Sequence, residues 1–150
     1  MSLFANQRET TVASTVALIE QTLTELGHVP DDRRLIDADL SHAWRIVTGS
    51  ATTEISIVDR AFPNLRVCAV VMMLDDTVDR AGLFTHLLEL NAGLCGAAFA
   101  TIGDQVLLVS ERSTRDLDHS EVVDAIDRVT KAADEHDDAL VARFGGRLGR

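Results

Sequence analysis

The sequence predicts an α+β domain in two layers, with elements in the order α-β-β-β-α-β-β-α and helices covering an antiparallel sheet. Three observations carry that prediction. Apolar residues recur at helical spacing over 12–26, 79–91 and 118–144. Between the first two stretches they alternate with polar residues, as half-buried strands do. Between the last two, short apolar runs meet at Gly103-Asp104, a pair suited to a type II′ hairpin turn. Runs of strands separated by single helices, without regular β-α-β alternation, point to α+β and not to a parallel sheet.

The elements follow in order. Val12, Val16, Ile19, Leu23 and Leu26 form one stripe of a first helix, and Gly27 supplies its stop. Residues 28–40 are polar and read as a loop. Trp44 and Ile46, then Ile55 and Ile57, alternate with polar positions around Gly49-Ser50, which predicts a hairpin. A turn at Pro63-Asn64 leads into a strand over 65–74, whose last part is continuously apolar. A second helix over 79–91 places Leu83, Phe84, Leu87, Leu88 and Leu90 inside, and strands follow at 97–102 and 106–109. The third helix has a full entry signal: Asp118 as N-cap, Glu121 three residues on, and Leu117 and Val122 at the positions of a hydrophobic staple. Val122, Ile126, Val129, Ala133, Leu140 and Phe144 form its stripe, and Gly145-Gly146 ends it.

Totals restrict the function. At 150 residues the chain reads as one domain spanning 1–150, with its core at about 10–144. Such a chain buries roughly 70% of its unfolded surface without staples. A formal net charge of −10 repels phosphate backbones and anionic lipid, so neither nucleic acid nor a membrane surface is an expected partner. The arginines that supply nearly all the positive charge are scattered. The longest apolar run, 67–74, is far short of the ~20 residues of a spanning helix. The start shows no basic segment followed by an apolar one, so a cytoplasmic location is expected. Cys68 and Cys95 form no CxxC pair and sit in apolar runs, as reduced packing residues do.

Candidate chemistry is sparse. Asp75, Asp76 and Asp79 match DDxxD, a carboxylate spacing that holds a hard cation. Here it falls at a strand-to-helix junction, where Asp serves as a cap against the N-terminal dipole. Residues 134–138 are acidic around His136, but only Asp134 and Asp137 or Asp138 share a helix face, and a solvated acidic face is the simpler reading. His86 and Glu89 stand at i,i+3 with no second pair to complete a site, and His28, His42 and His119 have no partner within reach in sequence. Ser110 and Ser113 lack a nucleophile elbow, and no phosphate loop is present. No enzyme, metal or cofactor is therefore expected. The strand at 65–74 is apolar on both faces, as its partners nearly are, and three helices cover only one face of five strands comfortably. Apolar surface left over would accept a second subunit or an extended peptide.

With the elements placed, the chain resembles the YbjN family, which shares the fold of the type III secretion chaperones. The likeness is clearest in Leu87-Leu88-Glu89-Leu90-Asn91 with the strand that follows Gly93. It recurs in Leu117-Asp118-His119-Ser120-Glu121 leading into Ala132-Ala133-Asp134-Glu135-His136-Asp137-Asp138. The resemblance implies a non-enzymatic, chaperone-like homodimer that captures an extended segment of a partner protein. Trp44, Ile55, Ile57 and Leu18 are the positions expected to line its groove. Two alternatives stand beside it: a regulatory protein touching a folded partner through its acidic third helix, and a metal-dependent enzyme using Asp75, Asp76 and Asp79.

Overall fold

The computed structural model describes residues 3–36, 42–59 and 62–149. Part of the expected loop, at 37–40, lies outside the described residues. Elsewhere the order α-β-β-β-α-β-β-α holds, with two short additions. The elements are α1 (Leu3–Glu25), α2 (Pro30–Arg33), β1 (Ala43–Thr48), β2 (Ala51–Asp59), β3 (Pro63–Met73), α3 (Arg80–Asn91), β4 (Ala98–Ile102), β5 (Gln105–Ser113), α4 (His119–Phe144) and β6 (Arg147–Leu148). The additions are α2, one turn opened by Pro30, and β6. All sheet pairings are antiparallel, in the order β1-β2-β3-β5-β4, with β6 against β3.

Each strand length has a local cause. β5 runs past the apolar stretch to Ser113, because its polar end stays laddered to β3 and Arg66 meets Glu111 at 3.0 Å across that pair. At the other end β3 outruns β2, whose ladder with it stops at Thr53↔Ala69, and β6 pairs with Met72 and Met73 beyond that point. The tail just after β6 must be glycine: a Cβ on Gly149 would collide with the backbone carbonyl of Val70, while its N–H donates to the Val71 carbonyl at 3.2 Å.

Helices form where their caps and stripes agree. At the entry to α4, Asp118 Oδ1 accepts from the Glu121 N–H at 3.0 Å, and Glu121 Oε2 accepts from the Asp118 N–H at 3.2 Å, so two orphan donors are satisfied reciprocally. Val122, Ile126, Val129, Ala133 and Leu140 are buried as the stripe predicts. α1 ends at Gly27, whose φ of +85° lets the His28 N–H reach the Leu23 carbonyl at 2.9 Å. That exit leaves Leu26 exposed although the spacing places it inside. α3 is corrected in the same way. Leu83 and Leu87 are buried, but Leu88 is 71% exposed, because it lies about 100° around the helix from Leu87.

All three long helices lie in one layer. α4 packs on β2, β3 and β5, while α1 and α3 pack against α4. The core lies between this layer and one sheet face, with Leu65, Val67, Ala69 and Val71 of β3 at its centre. No helix among the described residues is long and apolar enough to cross a membrane.

Candidate functional site

One-sided layering leaves the opposite face of the sheet without a helix among the described residues. Paired residues of an antiparallel ladder point the same way, so the registers identify that face. Arg45 and Val47 stand on it from β1, Glu54 and Val58 from β2, and Arg66, Cys68 and Val70 from β3. Leu107, Val109 and Glu111 of β5 and Ala98, Ala100 and Ile102 of β4 stand on it too, as do Ala43 and Ser56, and of these Ala43, Ser56 and Leu107 are buried. It is neither core nor ordinary polar surface. Cys68, Val70 and Val109 are half-buried, while Val47 and Ile102 are 58% and 56% exposed. Burial raises the Cys68 thiol above its ordinary pKa, with the Glu54 carboxylate adding to the effect.

The two sheet edges differ. On β4, the Asn91 side chain accepts from the Phe99 N–H at 2.7 Å and donates to the Phe99 carbonyl at 3.2 Å. A side-chain amide thus occupies the place of a neighbouring strand and closes that edge at its centre. On β1, the Ala43 carbonyl faces outward and accepts from the Leu35 N–H at 2.8 Å, whereas the His42 carbonyl turns inward to Ile57. Arg45 and Val47 share the parity of Ala43, so their backbone groups also point out of the sheet, and no backbone partner meets them among the described residues. β1 therefore carries an open edge beside the uncovered face. Sequence patterning does not reveal it, because alternation tells which face a side chain takes but not which strand ends a sheet.

Of the four positions expected to line a groove, Trp44, Ile55 and Ile57 lie in the core, facing the helices. Trp44 and Ile55 are directly paired and fully enclosed, and Ile57 pairs with Leu65. Only Leu18, half-buried on α1, reaches the surface. Trp44 is held from above by Arg34, whose guanidinium carbon lies 5.3 Å from the ring centroid, and Arg34 is itself ion-paired to Glu20 of α1.

The carboxylate motif is divided among local structural tasks. Asp75 Oδ1 accepts from the Thr77 hydroxyl at 2.5 Å and the Thr77 N–H at 2.9 Å, which holds its carboxyl below the usual range. Asp79 caps α3 through the Gly82 N–H at 3.1 Å. Among the described residues no three His, Cys, Asp or Glu groups converge as metal ligands. His86 and Glu89 stand 3.8 Å apart, too far for a hydrogen bond. His119 does find a partner, distant in sequence: its Nε2 lies 2.6 Å from Glu25 Oε2 at the end of α1, out of line for a hydrogen bond.

The acidic run of α4 is corrected more substantially. Asp134 Oδ1 accepts from the Ser50 N–H at 2.9 Å and from the Ser50 hydroxyl at 2.6 Å, and Asp137 Oδ2 lies 3.0 Å from the same hydroxyl. Asp137 is only 5% exposed. Asp134 stays exposed and Asp137 does not, and both tie the β1–β2 turn to the helix. Ser50 is their counterpart, and a serine in a glycine turn gives no sequence signal of it.

Solved structures of similar shape include proteins of type III secretion systems. The ExsC–ExsE complex aligns with a TM-score of 0.64 at 13% identity, covering 85% of this chain and 94% of that one. The heterodimeric ExoU–SpcU complex from the type III secretion system of Pseudomonas aeruginosa aligns at 0.55 and 14% identity, covering 84% and 97%. The Yersinia pestis chaperone SycH, bound to a stable fragment of YscM2, aligns at 0.51 and 17%, covering 78% and 94%. No curated protein matches the sequence. At such identities the likeness establishes the fold, which is that of the sheet and helix layer described above. The family model over residues 13–149 goes further: the chain belongs to TY-Chap1, the T3SS (YopN, CesT) and YbjN peptide-binding chaperone 1 family.

Proposed function

We propose that this chain captures an extended segment of a partner protein as an added strand on β1, without catalysing a reaction. The observation that carries the reading is the asymmetry of the sheet edges among the described residues: Asn91 takes both backbone groups of Phe99 on β4, whereas β1 stays open at Arg45 and Val47 beyond the Leu35–Ala43 bond. Main-chain pairing at such an edge supplies affinity with little sequence demand, and alternate side chains of the client meet the uncovered face. Val47 and the aliphatic stem of Arg45 border that path. Family membership supports a peptide-binding role, and each solved relative named above is a complex with a protein partner.

Apolar positions of the uncovered face away from β1, Val70, Val109 and Ile102 among them, support self-association as a homodimer. Sedimentation equilibrium at micromolar concentration is expected to give twice the 16.3 kDa chain mass, and a monomer throughout that range refutes this part. A regulatory contact through acidic α4 has less support, since Asp124 and Asp127 are already paired with Arg128 and Lys131 on the same helix.

Val47→Pro tests strand addition. It deletes an N–H that points out of the sheet and leaves the β1–β2 ladder intact, an arrangement edge strands tolerate. Peptides selected from a random-sequence library on the natural chain are expected to lose binding to Val47→Pro while its melting curve stays close to native. Undiminished binding by Val47→Pro refutes the placement on β1.

A further inference from the structure

An open notch of about 400 Å³ lies where the first half of α1 passes the β2–β3 turn and the end of β5. Its cationic lining is unusual for this chain. Arg8 comes from α1 and Arg115 from the β5–α4 connection, in a protein of net charge −10. Arg115 stacks over Phe62, with its guanidinium carbon 5.5 Å from the ring centroid, and it makes no ion pair among the described residues. Phe62 is 65% exposed, the largest aromatic surface left open in the described structure.

The hydroxyls sort by what they still offer. Thr11 donates to the Gln7 carbonyl and Thr114 to the Pro63 carbonyl, so both hydrogens are spent. Ser113 Oγ accepts from the Arg115 N–H at 3.2 Å and keeps its own hydrogen to give. The notch therefore presents the Arg115 guanidinium fork and one hydroxyl donor beside an aromatic face.

We propose that this notch receives an aspartate or glutamate side chain of the captured segment, and so sets which clients are accepted. This rests on the peptide-binding reading above. The stacked guanidinium is pre-organised, so little freedom is lost when it pairs with a carboxylate bidentately. Ring contact also reduces its hydration, which strengthens the pairing. The net charge of −10 opposes an acidic client at long range, so a cationic notch favours clients that place an acidic residue in it.

The test is selection of random-sequence peptides with blocked C termini, so that only side-chain carboxylates are offered, on the natural chain and on Arg115→Glu. Enrichment of Asp or Glu at one position, replaced by Lys or Arg on Arg115→Glu, is the expected result. A selected peptide should then lose roughly tenfold affinity on Glu→Gln, as a charge-assisted pair does, and most of that loss should be absent on Arg115→Gln. Arg115→Lys separates fork from charge: it should recover only part of the affinity. Enrichment without an acidic position, or an acidic preference that survives Arg115→Glu, overturns the inference and leaves strand capture standing. If nothing is enriched on the natural chain, the peptide-binding reading falls, and this inference with it. Arg115 lies on an exposed connection, and native melting of each variant confirms that binding alone is being read.

Discussion

Ile55 offers a decisive test of which side of the sheet is core. It is fully enclosed, paired with Trp44 on β1 and with Val67 on β3. Burying an isoleucine is worth about 1.5–3 kcal/mol in transfer alone. Truncation to alanine adds a cavity term, so Ile55→Ala is expected to cost about 2–5 kcal/mol, and Ile55→Val about 0.5–1.5 kcal/mol. Trp44, the single tryptophan, is the neighbour on the next strand and reports the transition directly. With a urea slope of about 2 kcal/mol per molar, a loss of 3 kcal/mol moves the midpoint down by roughly 1.5 M. Ile55→Asp places a carboxyl where no partner can solvate it, at a cost of several kcal/mol against a total stability of about 5–15 kcal/mol. That variant should be unfolded, with red-shifted tryptophan emission. Val47→Asp, on the uncovered face, should stay within about 0.5 kcal/mol of the natural chain. An Ile55→Asp protein with native emission and midpoint, or an Ile55→Ala midpoint shifted by less than Ile55→Val, refutes the assignment of this face to the core.

Other outcomes follow from single contacts. Thr53 and Thr130 hydroxyls meet at 3.2 Å in the core, so Thr130→Val should cost about 1–3 kcal/mol by stranding Thr53, and Thr53→Val/Thr130→Val should recover most of it. A double-mutant cycle in urea measures the coupling, and a purely additive pair refutes it. Cys95 is exposed, while burial raises the Cys68 thiol, so a disulfide reagent at mildly alkaline pH should modify Cys95 first and Cys68 only slowly until urea is added. Equal rates in the folded protein refute that difference. The Asp118 carboxyl is held below its ordinary range, first by the Ser120 hydroxyl and then by the Glu121 N–H. A depressed carboxyl stabilises above the unfolded value of about 4 and loses its contribution as pH falls through the folded value. The melting-point gap between the natural chain and Asp118→Asn should therefore be constant near neutrality and close in acid, and a gap that widens in acid refutes the sign.

Much of this architecture was legible because it rests on local signals. The capping box at Asp118 and Glu121, the stripe of α4 and the glycine turn at Gly103 each depend on residues a few positions apart. The larger differences depend on contacts remote in sequence. The alternation of Trp44, Ile55 and Ile57 marks one common face correctly, but whether helices or solvent meet that face is decided by where α4 docks. The acids at Asp134 and Asp137 have the composition of a solvated surface and become a tether only because the β1–β2 turn ends beside them. Leu88 belongs to an apolar cluster by composition and to the surface by angle. α2 and β6 are too short for any periodicity to register.

These remote contacts bear on how capture works. α4 is joined to the sheet at the Ser50–Asp134 hydrogen bonds and at the buried Thr53–Thr130 contact, and meets α1 at His119 and Glu25. β2, whose ladder positions β1, is thus held on a braced frame. An edge held in place before binding loses little freedom when a strand is added, so the ordering cost falls chiefly on the client. That cost is substantial for a disordered segment and is repaid only along a well-matched length of edge. Asn91, by occupying β4 at Phe99, blocks the centre of the competing edge, which favours β1 in the proposed mode of capture. Replacing Asn91 by Ala should then open a second edge without weakening the first. Analytical ultracentrifugation of Asn91→Ala is expected to show concentration-dependent species larger than those of the natural chain, and an unchanged distribution refutes the view that this side chain closes the edge.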